Sequence, residues 1–395
     1  MRSNRNFSFS WLRLLWTGNQ RSDARTIHPH ISCFVRYQSD DKMSNFREKL
    51  STGPSFQQFA TSLDGFPNIT PLTPENRVYI AKRSAPHPYI DPALMDGQGR
   101  KVYFETYGCQ MNVNDTEIAA RILRDHNYEI VTDIDQAQIV FLMTCAIREG
   151  AESKIWTRLR HLRREKRSKG IDQIGLLGCM AERLKARALE KEKLLDIIAG
   201  PDSYRDLPKL LAIHNSTGQN AVNVLLSMDE TYADVMPSVV DAKSKTSAYV
   251  SIMRGCENMC SYCIVPFTRG KERSRPLDSI LREVDALQSG GVREIILLGQ
   301  NVNSYRDKSV RVESSISLSR GFRTVYKPKT GGLTFDILLD KVAQVNPEVR
   351  IRFTSPHPKD FPDEVLQVIN KHDNICKNLH LPAQSGSDQV RLLFV

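Results

Sequence analysis

The sequence has little that would tie it to a membrane or to an oxidising compartment. No run of apolar residues is long enough to span a bilayer, so no membrane partner is expected. Eight Cys in 395 residues are too few for a disulfide scaffold, and free thiols suit a reducing compartment. The strong charge imbalance and poverty of apolar residues that mark a disordered chain are also missing. With 40% apolar and 25% charged residues the balance is globular, and the length suits two or three domains. Acid is outnumbered: 55 Lys and Arg against 45 Asp and Glu leave a formal charge of +10. That favours an anionic partner such as RNA and decides neither fold nor reaction.

Residues 1–39 have no Lys and one acid, Asp23, against six Arg in a background of Ser and Thr. This is the composition of a transit peptide, and the longer apolar core of a secretory signal is missing. Phe7, Trp11, Leu14 and Leu15 fall at helical spacing, so a short helix here is apolar on one side. A mitochondrial matrix address is expected. Residues 40–98, rich in Pro, Ser and Gly, read as a linker with irregular surface segments.

From Lys101 onward short apolar runs alternate with helical patterns. Strands are expected at 102–106, 139–143, 173–177 and 196–199, and helices at 115–126, 149–169, 181–193 and 204–214. The first helix would start at a capping box of Asn114 and Glu117. Such alternation implies a doubly wound parallel sheet over residues 99–227. Three of these strands are followed within a few residues by a Cys: Cys109, Cys145 and Cys179. The carboxyl ends of parallel strands share one edge, where ligands sit, so three thiols far apart in sequence should converge. Singly each Cys reads as a small buried hydrophobe; together they read as one three-thiolate site. The helix at 149–169 carries Ile155, Leu159 and Leu162 on one stripe. Its remaining surface is crowded with Arg158, Arg160, Arg163, Arg164, Lys166, Arg167 and Lys169, which suits either phosphate contact or an ordinary solvated face.

Residues 228–247 form a polar connector. Beyond it a second set of βα units is expected over 248–395, with strands at 248–253, 294–298, 350–353 and 378–381. Helices are expected at 277–288, 334–344 and 363–371, and a long loop at 304–332. The loop after its first strand holds Cys256, Cys260 and Cys263 within eight residues. No further Cys or His lies near enough in sequence to complete the tetrahedron of a structural zinc site. An iron–sulfur cluster held by three thiolates leaves one iron open. Cys376 lies outside these groups and reads as core.

Seven stretches between residues 106 and 386 together resemble the methylthiotransferase branch of the radical S-adenosylmethionine (SAM) enzymes. They are Thr106-Tyr-Gly-Cys-Gln-Met-Asn112, Thr144-Cys-Ala-Ile-Arg-Glu149, Gly178-Cys-Met-Ala-Glu182, Arg254-Gly-Cys through Arg273-Ser-Arg-Pro276, Leu298-Gly-Gln-Asn-Val302, Phe353-Thr-Ser-Pro-His-Pro358 and His380-Leu-Pro-Ala-Gln-Ser-Gly386. The resemblance implies two [4Fe-4S] clusters and SAM, with all six cysteines as catalytic ligands. The cluster on Cys256, Cys260 and Cys263 would cleave SAM reductively to methionine and a 5′-deoxyadenosyl radical. The cluster on Cys109, Cys145 and Cys179 would present sulfur. Tyr262 matches an aromatic position near the SAM adenine, and Gln300, Asn301, Ser355 and Gln384 are implied to line the SAM pocket.

The implied reaction is methylthiolation of C2 of N6-isopentenyladenosine at tRNA position 37. That C–H bond is unactivated, so acid–base catalysis has no handle on it and a radical is needed. A base extruded from an anticodon stem-loop suits such a site better than a duplex does. An external electron donor and a monomer are implied, and a cyclin-dependent kinase regulatory subunit is a further partner of the resembled enzymes. Sister branches act on threonylcarbamoyladenosine or on a ribosomal-protein aspartate. The chain ends at Val395 before the small RNA-binding β-barrel of the family (its TRAM domain), so an incomplete radical SAM (β/α) partial barrel is expected. A truncated, non-catalytic binding protein is the alternative to an enzyme.

Overall fold

The computed structural model describes residues 91–146, 149–185, 188, 195–237, 246–310, 331–387 and 389. The expected transit peptide, nearly all of the linker at 40–98, residues 147–148, and parts of the helix at 181–193 and of the loop at 304–332 lie outside these residues.

The first half is a parallel sheet of six strands: β1 (Lys101–Thr106), β2 (Glu129–Val131), β3 (Ile139–Thr144), β4 (Gln173–Gly178), β5 (Ile197–Ala199) and β6 (Ala221–Asn223). Their order is β2-β1-β3-β4-β5-β6. Strands β3 and β4 are buried along their whole length, as expected of apolar runs covered on both faces. On one face Ile118 and Leu123 of α1 (Gln110–Arg124) and Leu207 and Leu211 of α4 (Leu207–Thr217) pack over Phe104, Phe141 and Ile197. On the other, Ile155, Leu159 and Leu162 of α2 (Glu149–Lys169) and Met180 of α3 (Cys179–Leu184) pack over Val140, Leu142 and Leu176. The chain runs from β1 outward to β2 and then returns to the far side of β1 with β3, so the winding reverses between β1 and β3. A reversal of this kind opens a crevice at the strands' carboxyl ends.

The second half holds a parallel sheet of three strands among the described residues, β7 (Ser247–Ser251), β10 (Glu294–Leu298) and β13 (Arg350–Phe353), in the order β13-β10-β7. Helices α6 (Leu277–Ser289), α7 (Phe335–Val345) and α8 (Asp363–Lys371) follow β7, β10 and β13 respectively and cover one core. Leu277, Ile280 and Val284 form the buried stripe of α6. Two short antiparallel pairs close loops. Strand β8 (Met253–Arg254) pairs with β9 (Arg273–Ser274), and β11 (Arg306–Asp307) with β12 (Leu333–Thr334).

Three expectations are corrected. The first helix starts at Gln110 with Cys109 as its N-cap, so Asn114 and Glu117 lie inside it and form no capping box. Asn114 is instead buried and donates to the Tyr249 carbonyl on β7, 3.2 Å away, so tertiary packing decided its role. No strand forms at 378–381; the edge of β13 is met earlier, by a parallel bridge between Ile351 and Ile375, because Ile375 and Cys376 are the buried pair and Lys377 and Asn378 are exposed. The described part of the expected polar connector at 228–247 contributes to the core: Tyr232 and Val235 are buried, and the Tyr232 hydroxyl donates to the Pro201 carbonyl at 3.0 Å.

Candidate functional site

Cys145 and Cys179 directly follow β3 and β4, and Cys109 follows β1 after Tyr107 and Gly108, all at the carboxyl edge of the sheet, with Cys109 and Cys145 flanking the β1/β3 reversal. Two glycines make this convergence possible. Gly108 has φ +109, and a Cβ there would stand 2.7 Å from Cβ of Cys145. Gly178 has φ +89, and a Cβ there would stand 2.6 Å from the Thr144 carbonyl oxygen. Each precedes a thiol, and each lets two strand ends approach closer than a side chain would allow.

The other three thiols sit on the loop after β8, whose base is pinned by the β8–β9 pair. Gly255 N–H donates to Oε1 of Gln300 at 2.6 Å, which fixes the start of this loop. Asn258 N–H points to Sγ of Cys256 at 3.4 Å, and Cys263 N–H donates to the Cys260 carbonyl at 2.9 Å. Cys256 is buried, whereas Cys260 and Cys263 are partly exposed. Around them Met259, Tyr262 and Phe267 are exposed apolar side chains, Tyr262 at 49%.

The two groups are joined by a buried charge network. Arg254 and Arg269, at the two ends of the thiol loop, are 1% and 3% exposed, and both turn to Asp115 of α1, which is wholly buried. Arg254 Nη2 stands 2.8 Å from one Asp115 oxygen and Arg269 Nη1 2.6 Å from the other. Arg269 then donates from Nη2 to Oδ1 of Asn112 and from Nε to Sγ of Cys179, both at 3.1 Å. Behind them Arg254 lies over the Tyr232 ring, 4.7 Å from its centroid, and Arg273 forks onto Asp202 at 2.9 and 3.1 Å. Burial disfavours the charge on both guanidiniums, but the negative groups around them, Asp115 first for both and Glu230 next for Arg254, together hold Arg254 and Arg269 above their ordinary range.

Burial pushes the Cys256 thiol up to about 12 and raises Cys179 and Cys263 as well, with Arg269 opposing the shift at Cys179. Among the described residues no three His, Cys, Asp or Glu side chains are grouped as ligands of a single metal ion. A cube of iron and sulfide spreads its thiolates wider than one ion does. The donors present, two trios of soft thiols that form no disulfide, suit such a cluster, and a bound cluster offsets the cost of ionising buried sulfur.

The four expected pocket residues divide. Gln300 holds the loop, as above. Asn301 is buried and donates to Asp360 at 2.8 Å, while its Oδ1 accepts no hydrogen bond among the described residues. Ser355 and Gln384 are exposed and sit at φ +60 and +64, a conformation rare outside glycine and enriched at functional sites. The sequence reading did not single out Asp115, Arg269 or Glu182. Glu182 is 2% exposed, its Oε2 has no hydrogen-bond partner among the described residues, and burial pushes its carboxyl up to about 8. On α2 much of the basic surface is spent within the protein: Arg158 pairs with Glu105, Lys166 with Asp196 and Lys169 with Asp135. Arg160, Arg163 and Arg164 remain exposed. Cys376 is buried, as expected.

Residues 101–200 match a family described as Uncharacterized protein family UPF0004, and residues 250–394 match the radical SAM superfamily. A mouse protein named Mitochondrial tRNA methylthiotransferase CDK5RAP1 is 56% identical over 390 residues, covering 97% of this chain and 64% of its own. The human protein of that name is 52% identical, covering 97% and 65%. A protein of the bacterium Amoebophilus asiaticus named tRNA-2-methylthio-N(6)-dimethylallyladenosine synthase is 49% identical over 296 residues, covering 74% and 58%. The chain thus spans between 58 and 65% of the length of these relatives.

Proposed function

We propose that this chain, whose residues 250–394 match the radical SAM superfamily, is a tRNA methylthiotransferase that modifies C2 of N6-isopentenyladenosine at position 37 of mitochondrial tRNA. The names of the mouse and Amoebophilus relatives support the reaction and the base, and the mouse name supports the compartment. The observation that carries the reading is the clasp between the two thiol groups: the loop of Cys256, Cys260 and Cys263 is bolted through Arg254 and Arg269 to the helix whose N-cap is Cys109.

In this reading Cys256, Cys260 and Cys263 would hold one [4Fe-4S] cluster with SAM, and Cys109, Cys145 and Cys179 would hold a second. The first would supply reductive cleavage of SAM and the second would supply sulfur, its methyl group coming from a second SAM, with electrons from an external donor. The chain's own residues bind, orient and exclude water. Gln300 anchors the loop through the Gly255 N–H, which keeps the thiols in register with β10. The exposed ring of Tyr262 offers a stacking face for an adenine, and Met259 and Phe267 offer apolar contact beside it. Asn301, Ser355 and Gln384 lie in segments that follow β10, β13 and α8 and serve as polar contacts to SAM. The exposed Arg163 and Arg164 add sequence-independent attraction for the tRNA backbone.

The test is anaerobic reconstitution with iron and sulfide, then incubation with SAM, reductant and an isopentenylated tRNA. The expected products are 5′-deoxyadenosine and a 2-methylthio nucleoside, both read by mass spectrometry. SAM cleavage without change to the tRNA would contradict the assignment of substrate, and absence of both would contradict the assignment of reaction.

A further inference from the structure

We propose that Arg269 is a positioning residue which, from the loop of one thiol trio, hydrogen-bonds Cys179 of the other and sets the reduction potential of the cluster held there. The inference rests on the two-cluster reading above and deepens it. All three guanidinium nitrogens of Arg269 are engaged, and every partner belongs to the first sheet's unit: Asn112 and Asp115 on α1, and Cys179 at the start of α3. Its backbone is held as well, since Arg273 donates from Nη2 to the Arg269 carbonyl at 2.9 Å while forking onto Asp202.

An arginine needed only to neutralise Asp115 would have no reason to aim Nε elsewhere, because Arg254 already faces the same carboxylate from the other side. Instead a buried, charged N–H lies 3.1 Å from a sulfur. A donor of that kind favours the more electron-rich state of the sulfur, and hydrogen bonds to ligand sulfurs are among the levers that move a cluster's potential. Low local polarity strengthens the effect. The same contact fixes the distance between the trios, because one side chain spans from the loop after α5 (Val265–Thr268) to the end of β4. A group presented at one trio must meet a carbon activated at the other, and misplacement by a fraction of an ångström is costly in such a step.

The test uses the full chain with Cys256, Cys260 and Cys263 changed to Ala, so that only the first-trio cluster is present, and a redox titration followed by electron paramagnetic resonance. Arg269→Met is expected to retain iron, since Asp115 keeps Arg254, and to lower the reduced-to-oxidised ratio at fixed potential at least tenfold, which is about 59 mV for one electron. Arg269→Lys keeps the charge without the guanidinium fork and is expected to fall between. If Arg269→Met loses its iron, Arg269→Lys alone carries the comparison. An unchanged or raised potential in an iron-bearing variant would overturn the inference. Failure of the two-cluster reading looks different: the triple-Ala background would hold no iron even with Arg269 intact.

Discussion

The two thiol trios are built in opposite ways. Cys256, Cys260 and Cys263 share one loop, and the short β8–β9 pair at its base is enough to bring them together. Cys109, Cys145 and Cys179 come from three strand ends and meet only if β1, β3 and β4 are in register, with Gly108 and Gly178 allowing the approach. A loop site tolerates changes elsewhere in the fold, whereas a sheet-edge site inherits every shift of the sheet. Their joint, Asp115 between two arginines, belongs to both.

The largest effects should separate the trios by chemistry. Cys260→Ala is expected to abolish SAM cleavage altogether. Cys145→Ala is expected to retain cleavage, read as 5′-deoxyadenosine, and to yield no methylthio product. Next comes the joint. Asp115→Asn takes the shared carboxylate from two buried guanidiniums, leaving Arg254 only Glu230 at 3.9 Å, and should destabilise the apo chain by about 3–5 kcal/mol, read from the midpoint of urea unfolding. Arg269→Met should cost less, because it removes one charge and leaves the Asp115–Arg254 pair.

Glu182 gives a pH-dependent contrast. Its carboxyl sits near 8 in the fold against an ordinary 4.5, so the unfolded chain releases this proton first as pH rises. Stability should therefore fall between pH 4.5 and 8 and level off above, by on the order of 5 kcal/mol, and Glu182→Gln should flatten that slope. Gly178→Ala forces a side chain into φ +89 and against the Thr144 carbonyl. A loss of about 1–3 kcal/mol is expected, with iron depleted at the first trio and retained at the second. The smallest effect is on α2: Arg163→Glu with Arg164→Glu should weaken tRNA binding a few-fold at low salt and make its salt dependence shallower by about two phosphate contacts.

Much of this was legible in the sequence because alternation and spacing are local signals. Strands 294–298 and 350–353 and helix 363–371 were readable to the residue. The first trio was legible only through a rule of topology, that parallel strands share a carboxyl edge. What escaped was the buried polar interior. Asp115, Arg254 and Arg269 are charged, and charged residues in a sequence read as surface; nothing local says that one carboxylate will be shared by two guanidiniums. A signal was present, since Arg254 and Arg269 bracket the thiol loop, but its meaning needed the partner from α1. The short edge strands β2 and β6, three residues each, lacked enough pattern to be seen. Asn114 resembled a helix cap and proved to be a tertiary contact, a case of packing overriding a local propensity.

The central claim is that both trios hold iron, each by three thiolates, and it is tested most directly by metal analysis of anaerobically reconstituted protein alongside two triple-Ala variants. About eight irons per chain are expected, falling to about four when either Cys109, Cys145 and Cys179 or Cys256, Cys260 and Cys263 are replaced. Zinc in place of iron at either trio, or an iron content that one triple replacement leaves unchanged, would contradict it.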